Sequence, residues 1–187
     1  MSVADRKKFE SVLAFHTAPT LMGLKCGSLP ALSPAEYDLE EVSRLFKERY
    51  FGERICARFV SRCSRRVLIY VYDRELLDKR LSDKAVRDFL AGYGYDREWD
   101  STKCLDRLCG RLREKDFPHE IGIFLGYPLE DVKGFIANCG KRCKYCGLWK
   151  VYGDVPRAKA MFECYKNCRV RLCRELEKGK PLRLCVA

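Results

Sequence analysis

The sequence predicts an α/β or α+β fold: a small mixed sheet of about four strands, one hairpin among them, covered by helices. Ile55 to Val60 and Val67 to Tyr72 are β-branched and aromatic runs, and Ser61-Arg62-Cys63-Ser64-Arg65 between them reads as a hairpin loop. Other stretches repeat their apolar residues at helical intervals and alternate with the strand-like runs. The hairpin argues against a purely parallel sheet. No Pro/Gly/Ser-rich linker interrupts the 187 residues, so one domain spanning 1–187 is expected.

Taken in order, Phe9, Val12, Leu13 and His16 fall on one face of a short helix that should end before Pro19. Ser33-Pro34-Ala35-Glu36 reads as a helix start, with serine capping, proline first and glutamate completing the box. Leu39, Val42, Leu45 and Phe46 then give a buried stripe to about Tyr50. Helices are expected over 73–80, 82–91 and 101–114. Glu120 to Leu125 reads as a third strand, stopped by Gly126-Tyr127-Pro128, with a helix carrying Val132, Phe135 and Ile136 behind it. Leu148 to Tyr152 is the fourth strand. A final helix opens on Asp154 and buries Ala158, Phe162, Tyr165, Cys168 and Leu172.

Composition narrows the function classes. The chain is 47% hydrophobic and 34% charged, which excludes a disordered or fibrous protein. The net charge of +11 arises beyond residue 50, since the first fifty residues are balanced. Such a charge permits contact with nucleic acid without requiring it. The N-terminal residues lack the apolar stretch of a secretory signal, and no run is long enough to span a membrane. A cytoplasmic location and no membrane partner are therefore expected. Twelve cysteines in a reducing compartment are packed thiols, metal ligands or redox groups rather than a disulfide scaffold.

Cys139-x3-Cys143-x2-Cys146 has the spacing by which radical S-adenosylmethionine enzymes hold an iron–sulfur cluster. The context speaks against that chemistry, because the residues that follow supply one strand and one helix rather than a barrel. Cys143 and Cys146 with Cys164 and Cys168 offer four thiolates in two close pairs, a set suited to zinc or an iron–sulfur cluster. Cys168 also lies on the apolar stripe of its helix, where a packed core thiol is the commoner role. Cys143 and Cys146 alone are a redox-dithiol candidate, flanked by Lys141, Arg142 and Lys144.

His16 and His119 are the only histidines. His16 suits a helix C-terminus, where the helix dipole favours an imidazolium. His119 stands beside Glu120, a pairing that fits general acid–base work if folding brings a substrate to it. The glycines at 122 and 126 sit where a strand-to-helix turn can bring backbone amides to an anion. Glu130 and Asp131 in the same first turn would repel it and suit an ordinary helix start. Lys141, Arg142, Lys144 and Lys150 interleave with Tyr145, Trp149 and Tyr152, the mixture of cations and rings that single-stranded nucleic acid uses. Arg54, Arg58, Arg62, Arg65 and Arg66 form a second basic group.

Three segments carry a resemblance. They are His16-x-Ala18-Pro19-Thr20-Leu21-x-Gly23-x-Lys25, His119-Glu120-Ile-Gly122-x-Phe124-Leu125-Gly126-Tyr127-Pro128-x-x-Asp131-Val132-x-Gly134-Phe135-Ile136, and Gly147-x-Trp149-Lys150-Val151-Tyr152-x-Asp154. Together they resemble a bacterial family, domain of unknown function 3793, typical of clostridia-like Firmicutes. The resemblance spans nearly the whole chain and implies a bacterial source and a single-domain extent rather than a reaction. His16, Lys25, His119, Glu120, Tyr127, Trp149, Lys150, Tyr152, Cys146 and Cys168 match its motifs; Cys139 and Cys143 do not. A pocket common to the family would then be lined by His16, Lys25, His119, Tyr127, Trp149 and Lys150.

The expected function is binding of a small anionic ligand, metal or redox cofactor, in a pocket formed by the His16 loop and the His119–Glu120 strand. One alternative is an enzyme using His119 and Glu120 as acid–base groups. The other is a basic nucleic-acid-binding module, stapled by zinc.

Overall fold

The computed structural model describes residues 3–47, 52–62, 66–114 and 116–185. The chain divides into two units, residues 1–76 with 167–187, and residues 77–166. Helices dominate, and every described strand pairing is antiparallel.

The first unit opens with α1 (Val3–Leu21). It runs through Pro19 instead of stopping before it. Pro19 lies in the last turn, and its carbonyl accepts from the Leu24 and Lys25 amides at 2.8 and 3.1 Å. Phe9, Leu13, Ala14, Ala18 and Leu21 are fully buried, and that apolar contact outweighs the missing N–H. Gly23, at φ +69°, ends the helix in a conformation that favours glycine. The short strands β1 (Gly27–Ser28) and β2 (Ala31–Leu32) follow. The expected helix start at Ser33 is instead a turn, closed by the Ser33 carbonyl on the Glu36 and Tyr37 amides. Glu36 bonds Lys8 at 2.9 Å rather than completing a capping box. Asp38 takes the capping role, accepting from the Glu40 and Glu41 amides, and α2 (Leu39–Lys47) begins there. The end expected at Tyr50 lies outside the described residues.

β3 (Ile55–Arg62) and β4 (Val67–Asp73) form the expected hairpin, from Ile55 opposite Asp73 to Arg62 opposite Val67. Its loop at 63–65, including the basic Arg65, lies outside the described residues. A register shift between Phe59 and Ser61 marks a bulge. β1 and β2 pair with the other edge of β4, which is therefore central. Val67, Ile69 and Val71 point into the core with Leu13, Leu45 and Leu172, while Tyr70 and Tyr72 stack on the opposite face at 5.2 Å. Each such buried aliphatic side chain contributes roughly 1.5–3 kcal/mol.

α3 (Arg74–Ser82) leads into the second unit. There α4 (Lys84–Ala91) is capped by Asp83 and α5 (Ser101–Arg111) by Asp100. The strand expected over 120–125 is the short helix α6 (Ile121–Phe124). All four of its residues are buried, so the segment shows neither alternation nor stripe, and a continuous apolar run fits either state. α7 (Leu129–Ala137) starts behind Pro128 as expected. β5 (Tyr145–Cys146) and β6 (Lys150–Val151) make a small hairpin, so the fourth strand expected from the sequence is present but short. α8 (Val155–Glu177), opened by Asp154 accepting from the Arg157 amide at 2.9 Å, starts in this unit and ends in the first. A 3-10 turn, Leu182–Leu184, follows it. No helix among the described residues is long and apolar enough to cross a membrane.

Candidate functional site

Asp131 organises the second unit's hairpin. Its carboxylate is buried, and both of its oxygens accept hydrogen bonds. Oδ2 accepts from the Trp149 indole Nε1 at 2.7 Å, and Oδ1 accepts from the Tyr152 and Gly153 amides at 2.7 and 2.8 Å. Three donors compensate much of the cost of burying a carboxylate. The backbone approaches that permit this are close. A Cβ on Gly122 would lie 2.7 Å from the Val132 side chain, and one on Gly134 would collide with Tyr152. Read from the sequence as a helix-start acid, Asp131 is the residue that fixes Trp149.

Trp149 in turn stacks on Tyr127 at 4.8 Å with 24° between the planes, and meets Phe162 edge-on at 4.4 Å. Burial raises the Tyr127 phenol above its ordinary value, which keeps it neutral. These rings wall a cavity of about 290 Å³. His119, Lys150 and Phe135 also line it, with Phe117 and Leu148 exposed at its edge. His119 packs edge-on to Phe135 at 5.0 Å. Lys150 Nζ donates to the Gly140 carbonyl at 2.6 Å and lies 5.9 Å from the Phe135 ring centre. An ammonium group carries three hydrogens, so that bond leaves two for other acceptors. Four of the residues picked out in the sequence, His119, Tyr127, Trp149 and Lys150, thus border one space.

The chain belongs to a family. The model described as Protein of unknown function (DUF3793) matches residues 13–185. No curated protein and no solved structure matches the chain. The DUF3793 match covers the cavity wall and the His16 and Lys25 segment alike.

Glu120 does not share the cavity with His119. In this DUF3793 chain it is fully buried, with Oε1 accepting from Arg111 Nε at 2.9 Å, while Oε2 makes no hydrogen bond. The hydrogen bond that Arg111 donates to Glu120 raises the guanidinium above its usual value. The charge of Glu120 also helps hold the Tyr95 phenol up, after burial. Neighbours in sequence, His119 and Glu120 sit in the turn before α6 instead of on a strand, and Glu120 is committed to Arg111.

His16 and Lys25 belong to the first unit. His16 meets Phe15 edge-on at 5.0 Å, and Arg169 lies over the same Phe15 ring at 4.6 Å. Partial burial and the Arg169 charge lower the His16 imidazole below its ordinary value. Burial pushes the Lys25 amine down to about 8; the Cys26 thiol opposes this and Arg169 adds to it. Arg169 stands on α8, far from both in sequence, and no spacing pattern could have linked it to them.

Cys143 is half-buried and Cys146 and Cys164 are exposed, whereas Cys168 packs in the first unit's core with Leu172. Among the described residues, no three His, Cys, Asp or Glu side chains gather into a group that could hold a metal ion. The rings interleaved with lysines also have partners within the fold. Trp149 is buried, the Tyr152 hydroxyl donates to the Lys141 carbonyl at 3.0 Å, and Lys144 Nζ donates to the Gly153 carbonyl at 3.0 Å.

Proposed function

We propose that this chain is a binding protein for a small, planar, anionic molecule, held in the cavity that Tyr127 and Trp149 wall. The carrying observation is the stacked Tyr127–Trp149 pair beside a space of about 290 Å³, near the lower bound for small-molecule sites. Fixed aromatic faces favour a flat body through offset or edge-on contact. Lys150 favours negative charge on that body and would orient it by a charge-assisted hydrogen bond, while the Asp131 carboxylate that also lines the cavity is engaged by Trp149, Tyr152 and Gly153. The bond from Trp149 to Asp131 prepositions the wall, so little ordering remains to be done on binding.

Calorimetric titration with indole-3-carboxylate, its neutral carboxamide and the non-planar cyclohexanecarboxylate tests this reading. The planar anion should bind tightest, and Lys150→Gln should weaken it by about tenfold, the effect of losing one charged hydrogen bond. Equal binding of the acid and the amide, or no binding by any of the three, would overturn it.

A further inference from the structure

The first unit holds a larger cavity that none of the residues above explain. On α1, Lys7, Ser11 and Phe15 follow one another at four-residue steps, with Arg6 and Glu10 alongside, so they share a helix face. The last turns of α8 contribute Cys173, Leu176 and Glu177, and the tail beyond contributes Pro181 and Arg183. Glu10 pins that tail, its Oε2 accepting from the Leu182 amide at 2.8 Å. The space enclosed is about 790 Å³.

Its floor and its rim differ in chemistry. Phe15, Cys173, Leu176 and Pro181 form an apolar floor, and Phe15 is 49% exposed. Burial raises the Cys173 thiol, which therefore stays neutral. Arg6, Lys7 and Arg183 stand at the rim, with Arg6 4.0 Å from Glu41 and Lys180 drawn to Glu175 at 2.6 Å. Glu10 and Glu177 line it too, but Arg6, Lys7, Lys180 and Arg183 outnumber them, so the lining is cationic on balance.

We propose that this groove binds a single-chain anionic amphiphile, a long-chain carboxylate whose alkyl chain lies on Phe15, Cys173 and Leu176 and whose head group sits among Lys7, Arg6 and Arg183. The apolar floor accounts for the chain, since burying each methylene against it contributes about 0.8 kcal/mol. The cations account for the sign of the head group. The volume falls within the range of sites that enclose such molecules.

Titration with monomeric dodecanoate, dodecanol and acetate tests the proposal, with anionic phospholipid vesicles as a separate arm. Dodecanoate should bind in the micromolar range, dodecanol about tenfold more weakly, and acetate not measurably. Phe15→Ser and the double change Lys7→Glu with Arg183→Glu should each weaken dodecanoate about tenfold, and Glu177→Gln should tighten it. All four positions lie at the groove surface, and circular dichroism verifies that the variants fold. Equal binding of dodecanol, or indifference to both variants, would overturn the groove assignment. Binding of vesicles without binding of monomeric dodecanoate would overturn it as well.

Discussion

Between residues 77 and 166 the cavity is walled by rings whose positions depend on hydrogen bonds to one buried carboxylate, whereas the groove of the first unit is walled by helix faces and a short tail. In the cavity, Asp131 fixes Trp149, which fixes Tyr127, so wall and fold are the same set of contacts. In the groove, Phe15 stands half-exposed, and the core beneath it is built from Phe9, Leu13 and Val71 without it. A wall that is part of the core selects by shape and tolerates little change. A wall that rests on the core can vary without unfolding the protein.

Removing Asp131 should break the comparison hardest. Asp131→Ala orphans the indole N–H and the Tyr152 and Gly153 amides, and should cost about 3–5 kcal/mol by urea denaturation. A loss under about 1 kcal/mol would show that the rings hold themselves in place.

Lys25 gives the first unit a pH signature. Its amine sits at about 8 against an ordinary 10.5, so the folded state disfavours the charged form. Below about pH 8 both folded and unfolded chains carry the proton, and the full cost of burial stands. Between about 8 and 10.5 the folded chain has released it and the unfolded chain has not, so stability rises with pH. Lys25→Met lacks this dependence. Its stability advantage should therefore be constant below pH 8 and shrink across that window; an advantage independent of pH would contradict burial of the amine.

Phe15→Ser should have the smallest effect on stability. It removes an exposed ring and its contact with Arg169, worth about 0.5–1 kcal/mol, although it should weaken dodecanoate binding strongly. A loss above about 2 kcal/mol would place Phe15 in the core and erase the difference between the two regions.

How much of this was legible in the sequence depended on whether the signal was local. The 55–73 hairpin, the cap at Asp154 and the helix behind Pro128 follow from short-range chemistry and could be read directly. Ile121 to Phe124 could not, because an all-apolar run carries no period to separate strand from helix. Pro19 and Ser33 misled in the same way: each sent a correct local signal that burial of α1 and the Asp38 cap outweighed. His119, Tyr127, Trp149 and Lys150, singled out in the sequence, border one cavity, whereas the bond of Glu120 to Arg111 could not be read because Arg111 lies on another helix. Asp131 and Arg169 were missed for one reason. Their partners are distant in sequence, and only folding brings them together.

The most direct test of the account is the emission of Trp149, read alone in a Trp99→Phe background during titration with indole-3-acrylate, an absorbing planar anion. Stacking on the Tyr127–Trp149 wall predicts saturable quenching that weakens about tenfold in Lys150→Gln. Emission that never saturates, or that is quenched identically in the Lys150 variant, would contradict it.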